Sequence, residues 1–242
     1  MTDAGPGRRA LTPDEVERAV GHTFTDRRMI HGACDRNSPE FASLEFIGDA
    51  YLNVSVSLAC WHAGLRPEHA IEKYRNKNLR ARFNTLFGRR GLEEREDYLE
   101  TSIGALSFEA GFDEIVRASL TLVGGNIPMP PLADRPTDRL HESPDFRAAR
   151  WLGESVLKCV AVDVLRRQHG VDALTAEDLH TELTRMQGYL NERLAGGQVR
   201  RWPRTSPPAR RKLARAAAAT LVEFGWDSTR ELVSREFVPG GH

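Results

Sequence analysis

Two stretches of this chain, set 105 residues apart, carry the same pattern. Leu44-Glu45-Phe46-Ile47-Gly48-Asp49-Ala50-Tyr51-Leu52 aligns with Ala149-Arg150-Trp151-Leu152-Gly153-Glu154-Ser155-Val156-Leu157. Both place a glycine inside an apolar helical pattern, two residues after an aromatic ring. Farther on, Ala110-Gly111-Phe112-Asp113 aligns with Phe224-Gly225-Trp226-Asp227 at an offset of 114. Small insertions between two copies would produce such a drift. Chance similarity of two amphipathic helices is the competing explanation, and the shared glycine and aromatic count against it. A chain that repeats one helical unit is expected to fold as an intramolecular pseudo-dimer.

The periodicity is helical throughout. Leu44, Ile47, Tyr51, Val54 and Leu58 recur at three- and four-residue spacing, and so do Leu152, Val156, Val160 and Val164. Strand signals are weak, so the expected class is all-α. Gly124-Gly125-Asn126-Ile127-Pro128-Met129-Pro130-Pro131, continuing to Pro136, holds four prolines and two adjacent glycines and cannot continue a helix. The expected organisation is a first domain over 1–123, a linker over 124–136 and a second domain over 137–242.

Glu45 and Asp49 stand four residues apart, and Asp97 and Glu100 three apart, so on helices each pair shares a face. Each lies in an apolar pattern that marks a face turned inward. Four acids converging from two helices repel unless a cation sits among them, and an all-oxygen donor set suits Mg²⁺, with Mn²⁺ also accommodated. Gly48 and Gly104 each cost about 1 kcal/mol against alanine within a helix. Close approach of helices or of a ligand beside the carboxylates is the expected reason; a tolerated packing glycine is the plainer one.

Composition narrows the rest. The 242 residues are 40% apolar and 28% charged, ordinary for a globular protein. No apolar run approaches the ~18–20 residues that span a bilayer, and the N-terminal stretch lacks the apolar core of a signal peptide. Cys34, Cys60 and Cys159 show no CxxC spacing, so reduced buried thiols in a cytoplasmic protein are expected. The eight histidines form no zinc-like set. Thirty-four basic residues balance 34 acidic ones, which is not the charge of a protein held to nucleic acid by bulk electrostatics. Locally, Gln198 to Arg215 carries seven basic residues and no acid. That is either a phosphate-contacting patch or a solvated loop and helix start.

These residues resemble the ribonuclease III family. Its signature, roughly E-R-L-E-F-L-G-D-A-V-L, is similar to Ala42 through Leu52, and its D-x-x-E-A-L-I-G-A motif to Asp97 through Ala105. Val16 through Phe24 looks like the family's first helix and G-Y-x-F turn, so the resemblance covers most of residues 14–120. Leu179-His180-Thr181-Glu182-Leu183-Thr184-Arg185-Met186 resembles the family's G-E-L-T-x-L-R helix in a degenerate second copy. There Arg150 stands in place of Glu45, Glu154 matches Asp49, and no acidic pair appears near Arg211 and Ala214. Ala42 replaces a glutamate that most members carry outside the core metal quartet. No stretch after the second unit is expected to supply the separate double-stranded-RNA-binding domain of many relatives.

The resemblance implies two ribonuclease III-like units, the second degenerate. It implies a Mg²⁺-dependent endoribonuclease with one active site per chain that hydrolyses double-stranded RNA to leave a 5′-phosphate and a 3′-hydroxyl. Glu45, Asp49, Asp97 and Glu100 would be the catalytic ligands of two Mg²⁺ ions ~3.5–4 Å apart, and not general acids. Phe46 would enter a pocket of the partner unit, with Trp151 as its counterpart; the plainer reading makes both ordinary core aromatics. The basic stretch holding Arg75, Lys77, Arg80 and Arg82 would lie near RNA phosphates, or would be a solvated helix face. The alternative from another class is a non-catalytic RNA-binding or structural protein that kept the fold. Pairing with an active homologue, or a further homodimer, is also open.

Overall fold

The computed structural model describes residues 11–65, 77–88, 95–124, 146–170, 175–194 and 208–237, and these form helices joined by turns, with no strand among them. In chain order the helices are α1 (Pro13–Val20), α2 (Arg27–Cys34), α3 (Phe41–His62), α4 (Lys77–Phe87), α5 (Arg95–Leu106) and α6 (Phe112–Val123), then α7 (Phe146–His169), α8 (Ala176–Leu194) and α9 (Pro208–Phe237). Apart from Gly124, the expected linker lies outside the described residues.

Local sequence explains the ends of α1. Thr12 accepts from the Glu15 amide while the Glu15 carboxylate accepts from the Thr12 amide, with Pro13 opening the helix. Gly21 closes it in the left-handed region at φ 70°. The next residue, His22, is gripped by Glu114 and Glu109 at 2.9 and 3.3 Å, which ties the end of α1 to α6. Burial pulls the His22 pKa down, but the two carboxylates outweigh it and hold it above the usual value.

Helix α3 is the central element. Leu44, Ile47, Leu52, Val54 and Leu58 are buried along it, as the three- and four-residue spacing requires. It packs on α5 and α6 of the first half, and across to α7 of the second, which in turn packs on α9. The helix glycines are where backbones touch. A Cβ on Gly48 would lie 1.8 Å from the Glu100 carbonyl oxygen, and one on Gly104 would lie 2.0 Å from that of Leu44. In the second half, a Cβ on Gly153 would lie 1.8 Å from the Ala214 carbonyl oxygen. Residues aligned at offsets of 105 and 114 thus make the same contact in both halves. Of the two expectations for Gly48 and Gly104, close helix approach is the one observed.

Aligned residues also meet across the halves. The rings of Phe112 and Trp226 stack 4.1 Å apart and 3° from parallel. Gly225 just before Trp226 takes φ 81°, ψ −173°, which breaks α9 into two helical directions, as Gly111 separates α5 from α6. Buried polar groups fasten α3 to α7. Ser57 and Ser155 share a hydrogen bond of 3.0 Å, and the Tyr51 hydroxyl donates to fully buried Asp163 at 2.7 Å. Asp163 also accepts from Arg166 and Arg167 at 2.6 and 2.8 Å, with Arg230 of α9 at 3.9 Å. The Arg166 guanidinium lies 5.0 Å over the ring of Phe108 from the first half. Burial raises the Asp163 pKa, and the hydrogen bonds of Tyr51, Arg166 and Arg167 more than reverse that, leaving it below the usual carboxylate value.

All three cysteines are free and buried. Burial pushes the Cys34 thiol up to about 12 and Cys60 to about 11, so both stay protonated and unreactive. Among the described residues, no helix is long and apolar enough to cross a membrane.

Candidate metal centre

Helix α3 carries Glu45 and Asp49 on one face, and α5 carries Asp97 and Glu100 on the face opposite. The glycine contact sets the spacing. With Gly48 seated on the Glu100 carbonyl and Gly104 on that of Leu44, carboxylates one turn away on each helix have to meet. One oxygen from each of Glu45, Asp97 and Glu100 lies within 4.8 Å of the others. Glu100 is buried; Glu45 and Asp97 are half-buried. Oxygens this close and partly withdrawn from water could hold a hard cation.

Burial raises the Asp97 pKa to about 6, with repulsion from Glu45 adding to it and Arg36 partly relieving it. The Arg36 guanidinium is 3.9 Å from Asp97. Glu45 is likewise raised by burial, again against Arg36.

Asp49 is not part of the trio. Its Oδ2 accepts from Lys158 Nζ at 2.7 Å and from Asn53 Nδ2 at 3.1 Å. Lys158 comes from α7, so a cation of the second half sits on the fourth expected ligand of the first. The lysine also stands 5.9 Å from the centroid of Phe46. Sequence reading missed Lys158. In the repeat alignment it occupies the place of Asn53, and nothing in its neighbourhood marks it.

The equivalent place in the second half has reversed charge. Arg150 stands for Glu45, Arg211 for Asp97 and Ala214 for Glu100. Glu154, the counterpart of Asp49, is gripped by Arg210 through Nε and Nη2 at 3.0 and 2.8 Å. Both nitrogens converge on Oε2, so this carboxylate takes its charge partner from within the protein.

Phe46 does reach the other half. Its ring meets His180 of α8 edge-on at 6.2 Å, and it is half-buried against the common core. Trp151 is also half-buried against that core. Of the basic residues expected near RNA, Arg75 lies outside the described residues. Lys77 and Arg80 fall within α4, but their side chains are likewise outside. Arg82 packs inward: a Cβ on Gly124 would be 3.2 Å from its Cδ, and its Nε is buried with no hydrogen-bond partner among the described residues. From the basic stretch 198–215, Arg210, Arg211, Lys212 and Arg215 lie on α9, and 198–207 are outside the described residues.

Comparison with protein-family models, curated proteins and solved structures finds no match. The case for a function therefore rests on the geometry and on the motifs themselves.

Proposed function

We propose that this chain is a Mg²⁺-dependent endoribonuclease of ribonuclease III type that hydrolyses double-stranded or structured RNA. The first unit would be the working one and the second a non-catalytic partner in an intramolecular pseudo-dimer. The observation that carries this reading is the trio Glu45, Asp97 and Glu100, gathered by two glycine-sutured helices. The repeated glycine contact and the stacking of aligned Phe112 and Trp226 support the pseudo-dimer, since a residue meets its own equivalent where a two-fold axis passes.

The residues fit the metal by donor chemistry: three carboxylates, two with pKa values raised by burial, gathered where α3 meets α5. A divalent ion there would polarise a phosphodiester and make a bound water more acidic. Glu45, Asp97 and Glu100 would hold it, Arg36 would balance part of their charge, and Gly48 and Gly104 would keep α3 and α5 at the required distance. In the second unit Arg150 and Arg211 oppose a cation. One active site per chain, with cuts on one strand per binding event, follows from that asymmetry.

Metal binding should depend on pH with a definite sign. The Asp97 pKa is raised, so in the metal-free fold its proton is held up to about 6 and competes with the ion. Mn²⁺ affinity measured by titration calorimetry is expected to rise between about pH 5 and about pH 7 and then level off. A flat profile would remove Asp97 from the ligand set.

A non-catalytic RNA-binding protein is the second reading, and the pairing of Asp49 with Lys158 favours it. A cleavage assay separates the two, using a duplex of about 30 base pairs with each strand labelled separately. Mg²⁺-dependent cleavage that disappears in Glu100→Gln is the expected result. Binding of the duplex with no cleavage in Mg²⁺ or Mn²⁺ would establish the alternative. Paired cuts on both strands would mean that two chains assemble on the RNA.

A further inference from the structure

We propose that Lys158 is a tethered cation that takes the Asp49 side of the acidic centre, so that the centre accepts a single divalent ion. This rests on the metal-dependent reading above and adds to it a role for the second unit.

The geometry separates the four carboxylates into a trio and a pair. Glu45, Asp97 and Glu100 share a 4.8 Å neighbourhood. Asp49 lies one turn along α3 from Glu45 and is bound instead to the Lys158 ammonium at 2.7 Å. The pair is partly buried, with Asp49 20% and Lys158 33% exposed, so the contact is less screened than an exposed pair. The face of the Phe46 ring, 5.9 Å from Nζ, adds a second attraction for the ammonium.

The lysine backbone is held in register with α3. Ser155 and Asp163, on either side of Lys158 along α7, hydrogen-bond across the interface to Ser57 and Tyr51. The stem of Lys158 therefore starts from a fixed point, and its amine arrives at Asp49 because the two helices are clamped above and below it.

Charge balance argues in the same direction. Among the described residues, Lys158 on Asp49 and Arg36 near Asp97 offset part of the charge that the acidic centre would otherwise present to cations. A second divalent ion would have to displace the ammonium from Asp49. An ammonium is a compact point charge with directional donors and suits this substitution better than a broad guanidinium fork would. The second unit would thus have given up its own metal site and placed a cation in the site of the first.

Mn²⁺ binding to the full chain tests this by calorimetric stoichiometry and by electron paramagnetic resonance, which reports spin coupling between neighbouring ions. The wild type is expected to bind one Mn²⁺ with an uncoupled spectrum. Lys158→Met should bind two with a coupled spectrum, Lys158→Arg should remain at one, and adding Asp49→Asn to Lys158→Met should return it to one. Thermal melts accompany each variant, with Lys158→Gln replacing the Met variant if that does not fold. Two ions in the wild type, or one in folded Lys158→Met or Lys158→Gln, would overturn the proposal and leave the metal-dependent reading standing. No Mn²⁺ bound by the wild type would overturn both.

Discussion

Gly48→Ala is expected to destabilise the protein by about 3 kcal/mol, although alanine is the better helix former by about 1 kcal/mol. The added Cβ would lie 1.8 Å from the Glu100 carbonyl oxygen, 2.6 Å from its carbon and 2.8 Å from the Gly104 amide nitrogen. All three are backbone atoms of α5 and no rotamer change can move them, so α3 and α5 must separate. For a chain of this length the loss corresponds to a fall in Tm of about 6–12 °C. Gly153→Ala should behave alike, since its Cβ would meet the Ala214 carbonyl oxygen at 1.8 Å. Gly188→Ala is the control. It sits within α8, nothing lies within 4 Å of its Cβ, and the same change there should raise stability by up to about 1 kcal/mol. Thermal melts of the three variants side by side decide the matter. A Gly48→Ala protein melting with the wild type would show that the helices are not sutured at that point. Because Glu45 and Glu100 flank this contact, the variant should also lose Mn²⁺ affinity in proportion to how far the helices part.

Asp163→Ala is expected to cost about 3–5 kcal/mol, comparable to breaking other buried charge pairs. Asp163 is fully buried and accepts from Tyr51, Arg166 and Arg167. Removing it leaves the Arg166 guanidinium, 9% exposed, and the Tyr51 hydroxyl in the interface between the halves without their acceptor. Tyr51→Phe removes one neutral donor and should cost only about 1 kcal/mol. The sign of the pH dependence follows from the lowered Asp163 pKa. A carboxylate whose folded pKa is depressed contributes stability above its unfolded value of 3.8 and loses it as the pH falls through the folded value. Wild type should therefore weaken at the acid end, and Asp163→Ala should lack that component of the acid transition. Denaturant melts at neutral and acid pH measure both. A single-kcal/mol loss in Asp163→Ala would mean that water or a shifted arginine replaces the carboxylate.

Much of the fold could be read from residue order alone. The three- and four-residue spacing of Leu44, Ile47, Tyr51, Val54 and Leu58 required a helix with a buried face, and α3 is that helix. The ends of α1 rest on bonds that Thr12, Glu15 and Gly21 make within a few residues, so no distant contact is needed to place them, although they were not among the sequence expectations. The acidic pairs were legible for the same reason: i,i+3 and i,i+4 spacing fixes a shared face before any packing occurs. The repeat was visible because Gly48 and Gly153 answer the same steric demand in both halves.

Other features depend on which surfaces meet, and they left no local trace. Asp97 and Glu100 lie about fifty residues from Glu45. Their convergence with it was an expectation from the repulsion argument and from resemblance, and only the seating of α3 on α5 brings the oxygens within 4.8 Å. That same seating leaves Asp49 outside the trio. Lys158 reads in the sequence as a solvated helical lysine, and Asp163 and Arg166 as an ordinary i,i+3 pair. Burial between the halves turns the first into the partner of Asp49 and the second into the centre of an interface network. Spacing along one helix determines which side chains share a face, whereas the charge each face meets is set by the helix packed against it. The amino-acid sequence therefore determined the helices, the repeat and the two acidic faces of this protein. The tertiary structure decided which three carboxylates form a centre and that the fourth is held by a lysine from the other half.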